Sequence, residues 1–360
     1  MFLVDAHLDL SMNALEWNRD LRQPVAAIRA REAGLTDRPD RGRNTVSLPE
    51  LRRGRIGLVV ATQIARYVAP GNPLPGWHSA AQAWAQTQGQ LAWYREMEAA
   101  GEMTAITNLA SLDAHVELWR QPPDDAPIGY IRSLEGADSL VSVEYLERAV
   151  RDGLRAVGPA HYGPGRYAPG THTMGPLEAN GPALLEAMER LGVILDVTHL
   201  SDDALWQALD LFGGALWASH HNVRTLVADQ RQLPDDQIKA IVARGAVIGA
   251  SCDAWMIVPG WVRGSSTPQS TGCTFERLAD HVLHICSLAG STRHVCIGSD
   301  LDGAFGTEQT PADLDTIVDL HRLCDVLADR GFSDDDVEGF QSRNVVNFVR
   351  AHWAGREWIA

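Results

Sequence analysis

Apolar residues along this chain cluster in short runs, most of them followed by a turn and then by a segment with helical spacing. Eight runs read as buried strands: residues 2–4, 57–65, 129–134, 154–157, 193–197, 215–218, 246–250 and 295–298. Between most of them the spacing predicts helices over 79–100, 143–151, 181–191, 204–211, 235–244 and 275–289. The pattern is plainest in 182–191, where Leu184, Leu185, Met188 and Leu191 share one side. Strands alternating with helices over this length imply an α/β fold with a parallel sheet. Eight such units favour a closed (β/α)8 TIM barrel. An open doubly wound sheet is the other arrangement, but no glycine-rich phosphate fingerprint follows the first run. The expectation is a single barrel domain over residues 1–360, with loop excursions over the barrel mouth. Residues 104–107 fit a further short strand outside the eight. Residues 21–49, rich in Arg, Asp and Gly, read as one such excursion after the first strand.

Composition narrows the function. The chain has 360 residues, 45% hydrophobic and 21% charged, an ordinary globular balance. Its net charge of −15 disfavours nucleic acid and anionic membranes as partners, since both call for basic patches. The five cysteines (Cys252, Cys273, Cys286, Cys296 and Cys324) are odd in number and show no CxxC spacing. They are expected to be free thiols in a reducing compartment. No basic-then-apolar leader is visible at Met1, and no apolar run is long enough to span a bilayer, so a cytoplasmic location is expected.

The chemically suggestive residues fall at predicted strand ends. His7 and Asp9 follow the first run at i, i+2 spacing, so both side chains can face one point past the strand. By itself such a triplet more often marks a helix cap and a surface residue. Further residues change that balance: Glu135 ends the third run, and His161, His199, His220 and Asp300 follow the fourth, fifth, sixth and eighth. In a (β/α)8 barrel those ends converge on the catalytic face. Imidazole and carboxylate are ordinary zinc ligands, and a catalytic zinc usually takes three from the protein. His7, Asp9, Glu135, His199 and His220 are too many for one ion. With Glu135 shared, they divide as His7, Asp9 and Glu135 on one ion and Glu135, His199 and His220 on the other. A water between two ions would have a lowered pKa and could attack a carbonyl at neutral pH. Asp300 would remain as the uncoordinated base.

These segments resemble the membrane (renal) dipeptidase family of zinc peptidases, within the amidohydrolase superfamily. The matching stretches are Asp5-Ala6-His7-Leu8-Asp9, Leu134-Glu135-Gly136, the run from Leu191 to Ser201, Ser219-His220, Gly298-Ser299-Asp300-Leu301-Asp302-Gly303, and the closing run from Arg343 to Arg350. The resemblance implies a dipeptide substrate, two Zn2+ (or other divalent metals) on the five ligands above, a bridging hydroxide, and Asp300 as base. It also implies that His161 polarises the scissile carbonyl, that Arg231 holds the substrate carboxylate, and that the protein is a homodimer. A planar guanidinium, gripping a carboxylate through two hydrogen bonds, suits that last residue role.

The chain departs from the family after His161. A polar, Asn-containing loop is usual there, whereas this chain has Tyr162-Gly163-Pro164-Gly165-Arg166-Tyr167-Ala168-Pro169-Gly170 beside the substrate's expected amino side. The competing functions are a hydrolase of the same scaffold acting on N-acyl amino acids or lactones, and a non-catalytic metal-binding scaffold. His172 and His221 are lesser site candidates, and Asp302 reads as a loop brace. His281 and His284, at i, i+3, fit a packed helix face. Trp255 and Trp261 could shape a pocket.

Overall fold

The structure, a computed structural model, describes residues 2–359. Nine strands form one parallel sheet: β1 (Leu3–Leu8), β2 (Ile56–Ile64), β3 (Met103–Ala105), β4 (Ile128–Glu135), β5 (Leu154–Gly158), β6 (Ile194–Asp196), β7 (Leu216–Trp217), β8 (Ile248–Ala250) and β9 (Val295–Ile297). Eight of them run in the order β7-β6-β5-β4-β2-β1-β9-β8. The bridge between Ala218 and Ile248 joins the two ends, so the sheet closes into a barrel. β3 lies outside the ring and pairs with β4 only at Ile128, Gly129 and Tyr130, ahead of the point where β5 begins its pairing at Arg132.

The strands read as apolar runs because helices cover them outside and packed side chains fill the barrel inside. All eight residues of β4 are buried. One continuous apolar core joins strands and helices, from Leu3 and Val4 through Leu195 and Trp217 to Leu320 and Trp353. Local chemistry sets helix starts: the Ser79 side chain accepts from Gln82 N, and Ser201 does the same for Ala204 N.

Two sequence boundaries shift. β1 extends to Leu8, so His7 stands on the strand itself and only Asp9 lies beyond it. Polar residues near this strand end mask it in the apolar pattern. Residues 21–49 carry one helix, Val25–Glu32, and run into a second, Leu48–Arg53. They are pinned to the segment after β9, where the Asp302 carboxylate accepts from Thr45 N (2.7 Å) and Val46 N (3.1 Å). All five cysteines are free, and among the described residues no helix is long and apolar enough to cross a membrane.

Candidate metal centre

At the C-terminal ends of the strands, three donor clusters overlap: His7 with Asp9 and Glu135, Glu135 with His199 and His220, and His7 with His220 and Asp300. Glu135 Oε1 lies 3.1 Å from His199 Nε2, 3.4 Å from His220 Nε2 and 3.6 Å from His7 Nε2. The two nitrogens of His199 and His220 are themselves 3.2 Å apart. On the other side, His7 Nε2 is 4.0 Å from Asp9 Oδ2 and 3.7 Å from Asp300 Oδ1. The five expected ligands are thus brought together, with Glu135 between the two halves.

Long-range packing orients these groups. Asp5, buried at the middle of β1, accepts from His7 N (3.1 Å) and from Ser299 N (2.9 Å), so the ends of β1 and β9 are tied to one carboxylate. Thr62 on β2 donates its hydroxyl to Asp9. Thr171 Oγ1 meets His199 Nδ1 at 2.8 Å, and Ser219 Oγ meets His220 Nδ1 at 2.9 Å. A hydroxyl that accepts from Nδ1–H leaves the Nε2 lone pair free for a ligand. Gly136 turns the chain directly after Glu135 with φ of 77°, and a Cβ there would press 3.3 Å from His161 Cβ. His199 and Asp300 adopt the left-handed region without being glycine, at φ of 70° and 57°. Strain of that kind is held only where surrounding packing enforces it, commonly at functional sites.

The electrostatics fit a cation. Burial raises the proton affinity of Glu135 well above the ordinary carboxylate range, and the charges of Asp9 and Asp300 add to the effect. Asp300 is raised likewise, first by burial and then by Asp9 and Asp253. Asp9 is pushed up to about 6 by burial, and His7 is lowered to about 3 by burial and then by Arg231. Burial also holds His199 and His220 well below the usual imidazole value. A divalent ion among these donors would stabilise the carboxylates and keep the imidazoles neutral. His7 Nε2 is buried with no hydrogen-bond partner and lies within the donor clusters, so a bound cation would satisfy it. The nitrogen and oxygen donor set suits zinc.

His161 and Arg231 lie beside the same cluster. His161 Nε2 is 3.9 Å from Glu135 Oε1. Arg231 is buried and donates from Nη2 to the carbonyl oxygen of His220 at 2.8 Å, while its Nε and Nη1 find no partner. A buried guanidinium with two unpartnered nitrogens can still donate hydrogen bonds to an anion.

Against known proteins, the chain matches the family described as membrane dipeptidase (peptidase family M19) over residues 1–354. It belongs to that family. An uncharacterized dipeptidase of Schizosaccharomyces pombe is 27% identical over 199 residues, covering 51% of this chain and 45% of that protein. Dipeptidase tcpJ of Claviceps purpurea is 28% identical over 233 residues, covering 62% and 51%. The chain therefore spans about half the length of the curated relatives it matches. Among solved structures, the metallo peptidase dipeptidase AC superposes with a TM-score of 0.79 at 21% identity over 99% of both chains. A metallo peptidase from Rhodobacter sphaeroides, solved with a phosphinate mimic of L-Ala-D-Ala, gives 0.75 at 18% identity over 98% of this chain and 99% of that one. At these identities the likeness establishes the fold.

In this member of the membrane dipeptidase family, the remaining candidates separate clearly. His221 is buried with neither ring nitrogen partnered and stands outside the ligand clusters. His172 sits on the rim, 3.2 Å from Asp229, its ring 5.8 Å from that of Tyr162. His281 takes a hydrogen bond from Val223 N and pairs with the carbonyl of Ile257, and His284 pairs with Asp235, so both serve packing. Trp255 donates to Asp253 Oδ2 at 2.6 Å. Asp253 itself, three residues past β8, went unremarked in the sequence, although the strand-end rule applies to it. Arg66, which meets His161 Nδ1 at 2.7 Å, carried no sequence signal at all.

Proposed function

We propose that this protein is a zinc dipeptidase in which His7, Asp9 and Glu135 hold one ion, Glu135, His199 and His220 hold the other, and Glu135 bridges them. The observation that carries the reading is the sharing of Glu135 between two donor clusters, beside a buried arginine with two free donors. When bound, the ions supply Lewis-acid activation of the scissile carbonyl and of a water shared between them.

The chain's own residues supply the rest. Arg231 donates from its uncommitted nitrogens to the free carboxylate of the substrate, which sets a fixed distance from carboxylate to scissile bond and selects short substrates. His161 offers Nε2–H to the carbonyl oxygen as negative charge develops there. Asp300 keeps 15% of its side chain exposed and lies at the open edge of the cluster. It accepts a proton from the attacking water and passes it to the leaving amine nitrogen. Tyr162, its ring 5.2 Å from that of His199, borders the amino side of the substrate. Residues 1–360 act as one domain around this site, as a homodimer.

The test is a comparison of kcat/KM for the zinc-loaded protein on dipeptides, N-acyl amino acids and lactones. Dipeptides should lead. Preference for either other class would replace the assignment, and zinc-loaded protein inert on all three would point to a non-catalytic scaffold.

A further inference from the structure

The histidines around Glu135 differ in what faces their second nitrogen. His199 and His220 turn Nδ1 toward hydroxyls, Thr171 Oγ1 and Ser219 Oγ. A hydroxyl can accept, so each ring can carry its proton on Nδ1 and present a bare Nε2. His161 turns Nδ1 toward Arg66 Nη2, at 2.7 Å. A guanidinium has only donors and does not deprotonate in proteins. Nδ1 of His161 must then accept, and the single proton of the neutral ring sits on Nε2, the nitrogen that faces Glu135. The other tautomer would set N–H against N–H.

Arg66 is built into that position. It lies two residues past β2, in a loop closed on itself: Trp77 N donates to Arg66 O at 2.8 Å, and Val68 N donates to Trp77 O at 2.9 Å. A Cβ at Gly76 would come within 2.7 Å of Arg66 O, so only glycine permits this closure. The guanidinium donates from Nη1 to Pro75 O at 3.1 Å, which leaves Nη2 directed at the imidazole. The loop after β4 supports the same place, since Asp138 accepts from Tyr67 N at 3.2 Å.

We infer that Arg66 is a positioning residue that fixes His161 as its Nε2–H tautomer, making this ring a hydrogen-bond donor to the substrate while its neighbours serve as ligands. The inference rests on the reading of His161 as the group that meets the scissile carbonyl. It also separates this histidine from the metal set on physical grounds: a ring protonated at Nε2 has no lone pair to give there.

The test uses zinc-loaded protein labelled with 15N-histidine, the His161 signals being assigned by their loss in His161→Asn. Wild type should show His161 protonated at Nε2, and Arg66→Met should give a mixture of tautomers or Nδ1–H. In the same variant, kcat for a dipeptide should fall about ten- to hundredfold, less than the roughly 10²–10³ of an oxyanion donor removed outright because the ring remains in place, with KM moving less than about threefold. Arg66→Lys, which keeps a donor, should recover most of the loss, as should added guanidinium ion at low concentration with Arg66→Met. A wild-type His161 protonated at Nδ1 would overturn the inference, and that measurement needs no variant of Arg66 to fold. Unchanged turnover in Arg66→Met beside lost turnover in His161→Asn would overturn the inference alone. Full turnover in His161→Asn would instead overturn the reading of His161, and with it the catalytic consequence drawn for Arg66.

Discussion

Arg231→Ala removes two different things at once, and the structure tells them apart. One is the hydrogen bond from Nη2 to the carbonyl oxygen of His220, at 2.8 Å. The other is the pair of uncommitted donors, Nε and Nη1. The first supports the backbone at His220 and is lost for every substrate. An ordinary hydrogen bond of this kind contributes about 1 kcal/mol, or about fivefold in rate. The second matters only for a substrate with a free carboxylate. Hydrogen bonds to a charged group contribute about 1.5–3 kcal/mol, so a dipeptide should lose roughly a further ten- to hundredfold in kcat/KM. The assay measures kcat/KM for a dipeptide and for the corresponding dipeptide amide, in wild type and variant at matched zinc content. The dipeptide should lose at least about tenfold more than the amide. Arg231→Lys, with charge but no fork, should fall between. Equal losses on the two substrates would refute the carboxylate assignment and leave Arg231 as a brace for His220.

Glu135→Gln should lose at least one of two ions by metal analysis, because its carboxylate lies within 3.6 Å of three imidazole nitrogens; full retention of both would refute the bridging role. Asp300→Asn should keep both ions yet lose about 10²–10⁴-fold in kcat, whereas loss of metal would make Asp300 a ligand. Asp138 is buried in the loop after β4 and pushed up from 3.8 to about 6 by that burial. The native state then holds its proton more tightly than the unfolded chain, so the group favours folding at low pH and costs stability as pH rises from about 4 to about 6. Asp138→Asn should flatten the fall in Tm across that window, by on the order of 3 kcal/mol in unfolding free energy; an unchanged slope would refute the account.

The local pattern carried the architecture. Apolar runs followed by helical spacing placed eight strands, and the ring of the structure contains eight, because a strand covered on both faces must be apolar throughout. The strand-end rule also named His7, Asp9, Glu135, His199, His220 and Asp300, since in a closed barrel the ends of separate strands meet whatever their spacing in sequence. That logic stops where a residue's role depends on its neighbour in space. β1 reached Leu8 although its apolar run stops at Val4, because pairing with β2 continues through Asp5 and Leu8. Asp5 looked like part of a motif and proved to tie β1 to β9, 294 residues away at Ser299. Arg66 and His161 are 95 residues apart, and neither position marks the other. The identity of the donors is written in the chain; which nitrogen of each histidine faces the cluster, and what holds its other nitrogen, is decided only when loops from different strands pack together, since a tautomer follows from the hydrogen bond made on the far side of the ring.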